Sequence, residues 1–101
     1  MARFALRYFF DPGSGRCLWS ANAAAREKFS YAVTLESLDL PPAVVARGHA
    51  LITQFNSSID WNNPADPSPW PEGQRLLFEI DARELRGMLQ QSLGPECEIR
   101  D

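Results

Sequence analysis

The sequence predicts an α+β fold: a small antiparallel sheet of about three strands, 3–10, 17–20 and 96–101, covered on one face by about three helices. Three observations predict it. Residues 3–10 alternate, with Phe4, Leu6, Tyr8 and Phe10 on one side of an extended chain and Arg3, Ala5, Arg7 and Phe9 on the other. Between 43 and 59, Val44, Val45, Gly48, Leu51, Ile52, Phe55 and Ile59 recur at helical spacing. Farther on, Phe78, Ala82, Leu85, Leu89 and Leu93 form a second helical stripe.

Taken in order, the strand 3–10 runs into Asp11-Pro-Gly-Ser-Gly-Arg16, a segment dense in turn residues, and Cys17-Leu-Trp-Ser20 returns as the second strand of a hairpin. Ser20 or Asn22 can cap a short helix over 21–30 whose Ala21, Ala25 and Phe29 face inward. Residues 31–40 read as an extended connection with room for a short strand at 32–35. Pro41 and Pro42 then open the second helix, where a missing N–H costs nothing, with Asp39 as the nearest side chain able to cap.

Residues 59–74 are the stretch that separates the two long helical stripes. Four prolines lie between Pro64 and Pro71, bracketed by Trp61 and Trp70, so neither a regular helix nor a central strand can pass through. The segment is expected to be an ordered arm lying on the body of the protein. Trp61, which directly follows the second helix, is expected to be the buried ring. Trp70, flanked by prolines, is expected to stand out as the partner-contacting one. Beyond the arm two readings compete. Leu76, Phe78 and Ile80 alternate as a strand would, with Asp81 and Glu84 as a capping box for a helix that starts there. The unbroken stripe from Phe78 to Leu93 favours instead a single helix from about Glu72 to Leu93, ended by Gly94-Pro95. The alternating Cys97 and Ile99 mark a closing strand, and the long apolar strand 3–10 is placed between it and 17–20.

Length and composition bound the function. A chain of 101 residues with 45% hydrophobic residues points to a single domain, 1–101, with its own core. No apolar run is long enough to span a membrane, and the N-terminus carries Arg3 and Arg7 inside its alternating pattern, so a cytoplasmic protein is expected. The net charge of −3, with nine arginines and Lys28 scattered along the chain, argues against nucleic acid as a partner.

No motif carries a defined chemistry. His49 lies at the flank of its helical stripe with few acids near it in sequence, so a surface hydrogen bond explains it better than a catalytic base or a metal ligand. Cys17 and Cys97, on strands either side of 3–10, would sit roughly 9–10 Å apart, beyond disulfide reach, and are expected as buried thiols. Gly13-Ser-Gly15 lacks the following lysine and helix of a phosphate loop. Asp60-Trp-Asn-Asn-Pro-Ala-Asp66 has proline at the fifth position of a calcium loop and no glycine at the sixth, so Asp60 is better explained as a turn group. Asn56-Ser-Ser58 matches a glycosylation sequon that a cytosolic chain would not use. No cofactor and no metal are expected. Acidic residues gather late in the chain, at Glu79, Asp81, Glu84, Glu96, Glu98 and Asp101, as a solvated face or as a dock for a basic protein.

The expectation is therefore a small protein-interaction module of the inhibitor, immunity-type or adaptor kind, without catalytic chemistry and with self-association left open. The alternative is a ligand-binding or enzymatic domain with a pocket between sheet and arm, lined by Trp19, Trp61 and Trp70 and approached by His49 or Asp60.

Overall fold

The computed structural model describes residues 2–100. Its elements are β1 (Phe4–Tyr8), β2 (Leu18–Ser20), α1 (Ala23–Phe29), β3 (Ala32–Val33), a 3-10 turn over Leu35–Ser37, α2 (Pro42–Asn56), α3 (Glu72–Leu93) and β4 (Cys97–Arg100). The α+β class holds, with four strands in the order β3-β2-β1-β4. The short strand foreseen at 32–35 pairs with β2 as the fourth member, and β1 lies between β2 and β4 as expected.

One expectation about the sheet is corrected. β4 runs parallel to β1, with Phe4 opposite Cys97 and Leu6 opposite Ile99, so the sheet is mixed rather than antiparallel. Alternation of Cys97 and Ile99 fixes which side chains point inward but is the same whichever way the strand runs. Asp101, counted with this strand and with the late acidic residues, lies outside the described residues.

The inward face of the sheet follows from the register. Phe4 and Leu6 of β1, Leu18 of β2, Val33 of β3, and Cys97 and Ile99 of β4 all join one buried cluster. Helices meet it through Ala25 of α1, Val44, Leu51 and Ile52 of α2, and Phe78, Leu85 and Leu89 of α3. Asn22 caps α1 by accepting from Ala25 N at 2.9 Å. Gly48 lets α2 close on the 3-10 turn: a Cβ there would stand 2.4 Å from a Leu35 methyl. Gly94, at φ 74, ends α3 with its N–H on Gln90 O.

The continuous-helix reading of 72–93 is the one the structure takes. At 22 residues α3 is about 33 Å long, and the molecule measures 41 × 22 × 22 Å, so the helix runs along the long axis. Its C-terminal half packs on β4. Its N-terminal half packs on α2 and the arm through a cluster of rings: Phe78 meets Phe10, Phe55 and Trp70 with centroids 5.1–5.4 Å apart. The Tyr8 hydroxyl donates to Ala82 O at 2.8 Å and ties the end of β1 to the middle of α3.

Candidate functional site

The residues singled out by sequence are not gathered into one site. His49 is exposed on α2, where its Nε2 is paired with the Glu36 carboxylate of the 3-10 turn, and that hydrogen bond lowers the Glu36 pKa. Asp60 is a turn residue: its carboxylate accepts from Asn62 N at 3.0 Å and its carbonyl from Asn63 N at 3.0 Å. Neither residue has an ordering contact with either arm tryptophan.

The two tryptophans exchange the environments expected of them. Trp61 is the exposed one, at 55%. Its indole N–H donates to Asn56 O at the end of α2, at 2.8 Å, which lays the ring beside Gly13 of the hairpin loop with one side in solvent. Gly13 has φ 83, and a Cβ there would press to 3.2 Å on that ring. Trp70 turns back onto the body instead. It is half-buried against Phe55 and Phe78, with its indole N–H on Ser57 Oγ at 2.8 Å. Proline fixes only its own φ, so the prolines around Trp70 stiffen the chain without aiming the ring outward.

The pocket expected between sheet and arm corresponds to neither of two grooves on the surface of the described residues. One, of about 310 Å³, is lined by Phe4, Lys28, Phe29, Leu38, Leu93 and Cys97 among others; the second is formed by Arg3, Phe4, Ala24, Glu27 and Lys28. No tryptophan lines either. Trp19 is buried on the opposite face of the sheet, stacked under Phe9 with centroids 5.0 Å apart, and its N–H donates to Phe9 O at 3.1 Å. Both cysteines are free and buried, and burial raises both thiols, Cys17 to about 12. A protonated thiol is a poor nucleophile. Among the described residues no three His, Cys, Asp or Glu side chains are grouped so as to hold a metal ion, and no helix is long and apolar enough to cross a membrane.

The feature that sequence reasoning missed lies on α3. Leu76, Leu77 and Ile80 are 52%, 63% and 57% exposed. At about 100° per residue, Ile80 stands roughly opposite the buried Phe78, Leu85 and Leu89 on the helical wheel, with Leu76 and Leu77 to either side of it. Gly73, Glu84 and Gly87 continue this outward face, and all are exposed. Nothing approaches within 4 Å of where a Cβ on Gly73 or Gly87 would stand. The helix therefore carries two apolar faces, and only one is covered. The signal was present in the sequence as the strand-like alternation of Leu76, Phe78 and Ile80, in which two opposite helix faces imitate a period of two. No protein-family model matches the chain, and a search of curated proteins finds no significant relative.

Proposed function

We propose that this chain is a small protein-interaction module with no catalytic chemistry of its own, and that the outward face of α3 is its contact surface. The observation that carries this reading is the run Leu76, Leu77 and Ile80, exposed side by side on a helix whose opposite face already fills the core. Singly exposed leucines are ordinary; three that adjoin on one face cost solvation until something covers them. The face is rimmed by Glu72, Glu79, Arg83 and Glu84, all exposed, which matches an apolar centre with a charged surround. The reading of a ligand site beneath the arm has less support, because His49, Asp60 and the three tryptophans do not converge on a cavity.

A photo-crosslinking side chain placed at Leu77, with the same group at Arg26 of α1 as the control, tests the surface in living cells. The expected result is a discrete adduct at 77 and none at 26. Excess unlabelled wild-type chain should compete it away, and the Ile80→Glu chain should not. Equal labelling from both positions, or competition by both chains, would remove α3 as the contact surface.

A further inference from the structure

We infer that the sheet face turned away from the helices, separate from the α3 surface, binds single-stranded nucleic acid: bases stack on Phe9 and Tyr31, and Arg7 and Arg100 hold phosphate.

The face is open because the helices meet the sheet from the other side, through Ala25, Leu51, Leu85 and their neighbours in one buried cluster. Alternation sends Ala5, Arg7 and Phe9 outward along β1 and its extension, and Glu98 and Arg100 outward from β4. In the register Arg7 stands between Trp19 of β2 and Arg100 of β4, so the three form one row across the sheet. Pairing continues one residue past β1, where Phe9 N donates to Cys17 O at 3.0 Å and holds Phe9 beside Trp19. The rings of Phe9 and Trp19 lie nearly parallel, at 9° with centroids 5.0 Å apart. Trp19 is 7% exposed and Phe9 45%. Phe9 therefore covers the indole and leaves its own outer side in water. Tyr31, 59% exposed, leans on the same indole with centroids 5.5 Å apart. A stack that ends on an open ring can be extended by a further flat group.

Charge marks the occupant as an anion. The net charge of −3 argues against nucleic acid over the surface as a whole, and this face is the exception. Apart from Glu98, every described Asp and Glu lies on a helix, a turn or a connection. Arg7 and Arg100 are both exposed and stand side by side across two strands, where like charges repel until an anion is shared between them. Arg7 has no ion-pair partner among the described residues. Arg100 spends its Nε on Glu98, at 2.7 Å, and keeps the terminal nitrogens of its guanidinium for a second acceptor.

Shape selects among anions. The face of an aromatic ring carries the negative part of its quadrupole, so a carboxylate gains nothing by lying over Phe9. A nucleobase is flat and neutral and stacks there, while the phosphate of the same strand reaches the arginines. The bases of a duplex are already stacked on one another, so the strand that fits is single.

Fluorescence anisotropy of an end-labelled oligothymidine of about 15 nucleotides, titrated with the purified chain at about 50 mM salt, tests this. Half-saturation is expected between about 1 and 100 µM, rising with salt. Arg7→Glu should weaken binding at least about fivefold. Phe9→Leu keeps Trp19 covered but removes the ring face, and should weaken it about fivefold or more, with circular dichroism unchanged. Tyr31→Ser, at the more exposed ring, should act likewise. Arg75→Glu makes the same charge change at an exposed position near the start of α3 and should leave binding as it was. Absence of binding at low salt overturns the inference. Equal weakening by Arg7→Glu and Arg75→Glu also overturns it, because net charge alone would then govern the affinity. So does wild-type affinity in both ring variants. Displacement of the oligonucleotide by polyglutamate of the same length would assign the face to an acidic protein instead.

Discussion

The carboxamide of Gln90 lies along the outer edge of β4, accepting from Ile99 N at 2.8 Å while donating to Cys97 O at 2.8 Å. Strand β4 spends its other edge on β1, where Phe4 N donates to Glu96 O. Gln90 thus satisfies two outward backbone groups as a neighbouring strand would, and Arg86 Nη2 donates to Ile99 O at 3.1 Å beside it. An uncovered edge strand is a template for pairing with other chains, and here a helix side chain covers it. Gln90→Leu leaves two half-buried backbone groups without partners. The expected loss is about 1–3 kcal/mol in a urea titration, with faster amide exchange at Ile99 and more aggregation on heating. Unchanged exchange at Ile99 would mean the edge is protected by something else.

The inward face was legible because core-facing alternation and helical stripes depend only on local spacing. Phe4, Leu6, Cys97 and Ile99 could be placed before any pairing was known, and all of them join the core. What depended on chain path was not legible. The parallel course of β4 is set by how α3 delivers the chain to it, and a four-residue strand holds no sign of direction. Ring positions in the arm depend on turn geometry and on acceptors such as Asn56 O and Ser57 Oγ, contributed from the end of α2. The candidate surface was hidden for a different reason: Leu76 and Ile80 were weighed as strand residues, so their shared outward face on a helix went unread.

Phe78 joins β1, α2, α3 and the arm, because its ring touches Phe10, Phe55 and Trp70. Phe55 belongs to the helical stripe of α2, yet it is only half-buried where α2 nears its end. The two positions therefore separate. Phe78→Ala should cost about 3–5 kcal/mol, and Phe55→Ala roughly half of that. Denaturant titrations of the two variants, compared at constant m-value, check the ordering. Equal losses would show that the ring cluster fails as a unit.

Alkaline pH should destabilise the fold by ionising buried groups. Burial raises Cys17 from 9.0 to about 12 and raises Tyr8 above its ordinary 10.0, with Cys17 adding to the Tyr8 shift and Arg86 opposing it. Both folded values lie above the unfolded ones. The stability that these protonated groups contribute is thus fully present below pH ~9 and is lost as pH rises toward the folded values. Each group adds a slope of up to about 1.4 kcal/mol per pH unit once its unfolded form ionises. Stability measured by urea titration from pH 7 to 11 should fall from about pH 9 onward. Cys17→Ala, whatever it costs at neutral pH, should flatten the fall between about pH 9 and 10. An unchanged slope would mean that the thiol is not protected in the folded state.

Trp70 and Trp61 give the arm two attachments of unequal strength. Trp70 is held by two ring contacts and by the bond to Ser57 Oγ, which itself donates to Gln54 O at 2.6 Å. Trp61 keeps one hydrogen bond and leaves more than half its surface in water. The four prolines lower the entropy of the unfolded arm, so modest contacts are enough to order it. Trp70→Ala is expected to cost about 2–4 kcal/mol and Trp61→Ala about 1 kcal/mol. Fluorescence separates the rings independently of stability. Trp61→Phe removes the exposed emitter and should shift the emission maximum to the blue, whereas Trp70→Phe should shift it to the red. Trp19, buried under Phe9, contributes equally to both variants. Shifts in the same direction would put both rings in one environment, and Trp70 would no longer be the anchor that draws the arm onto α2 and α3.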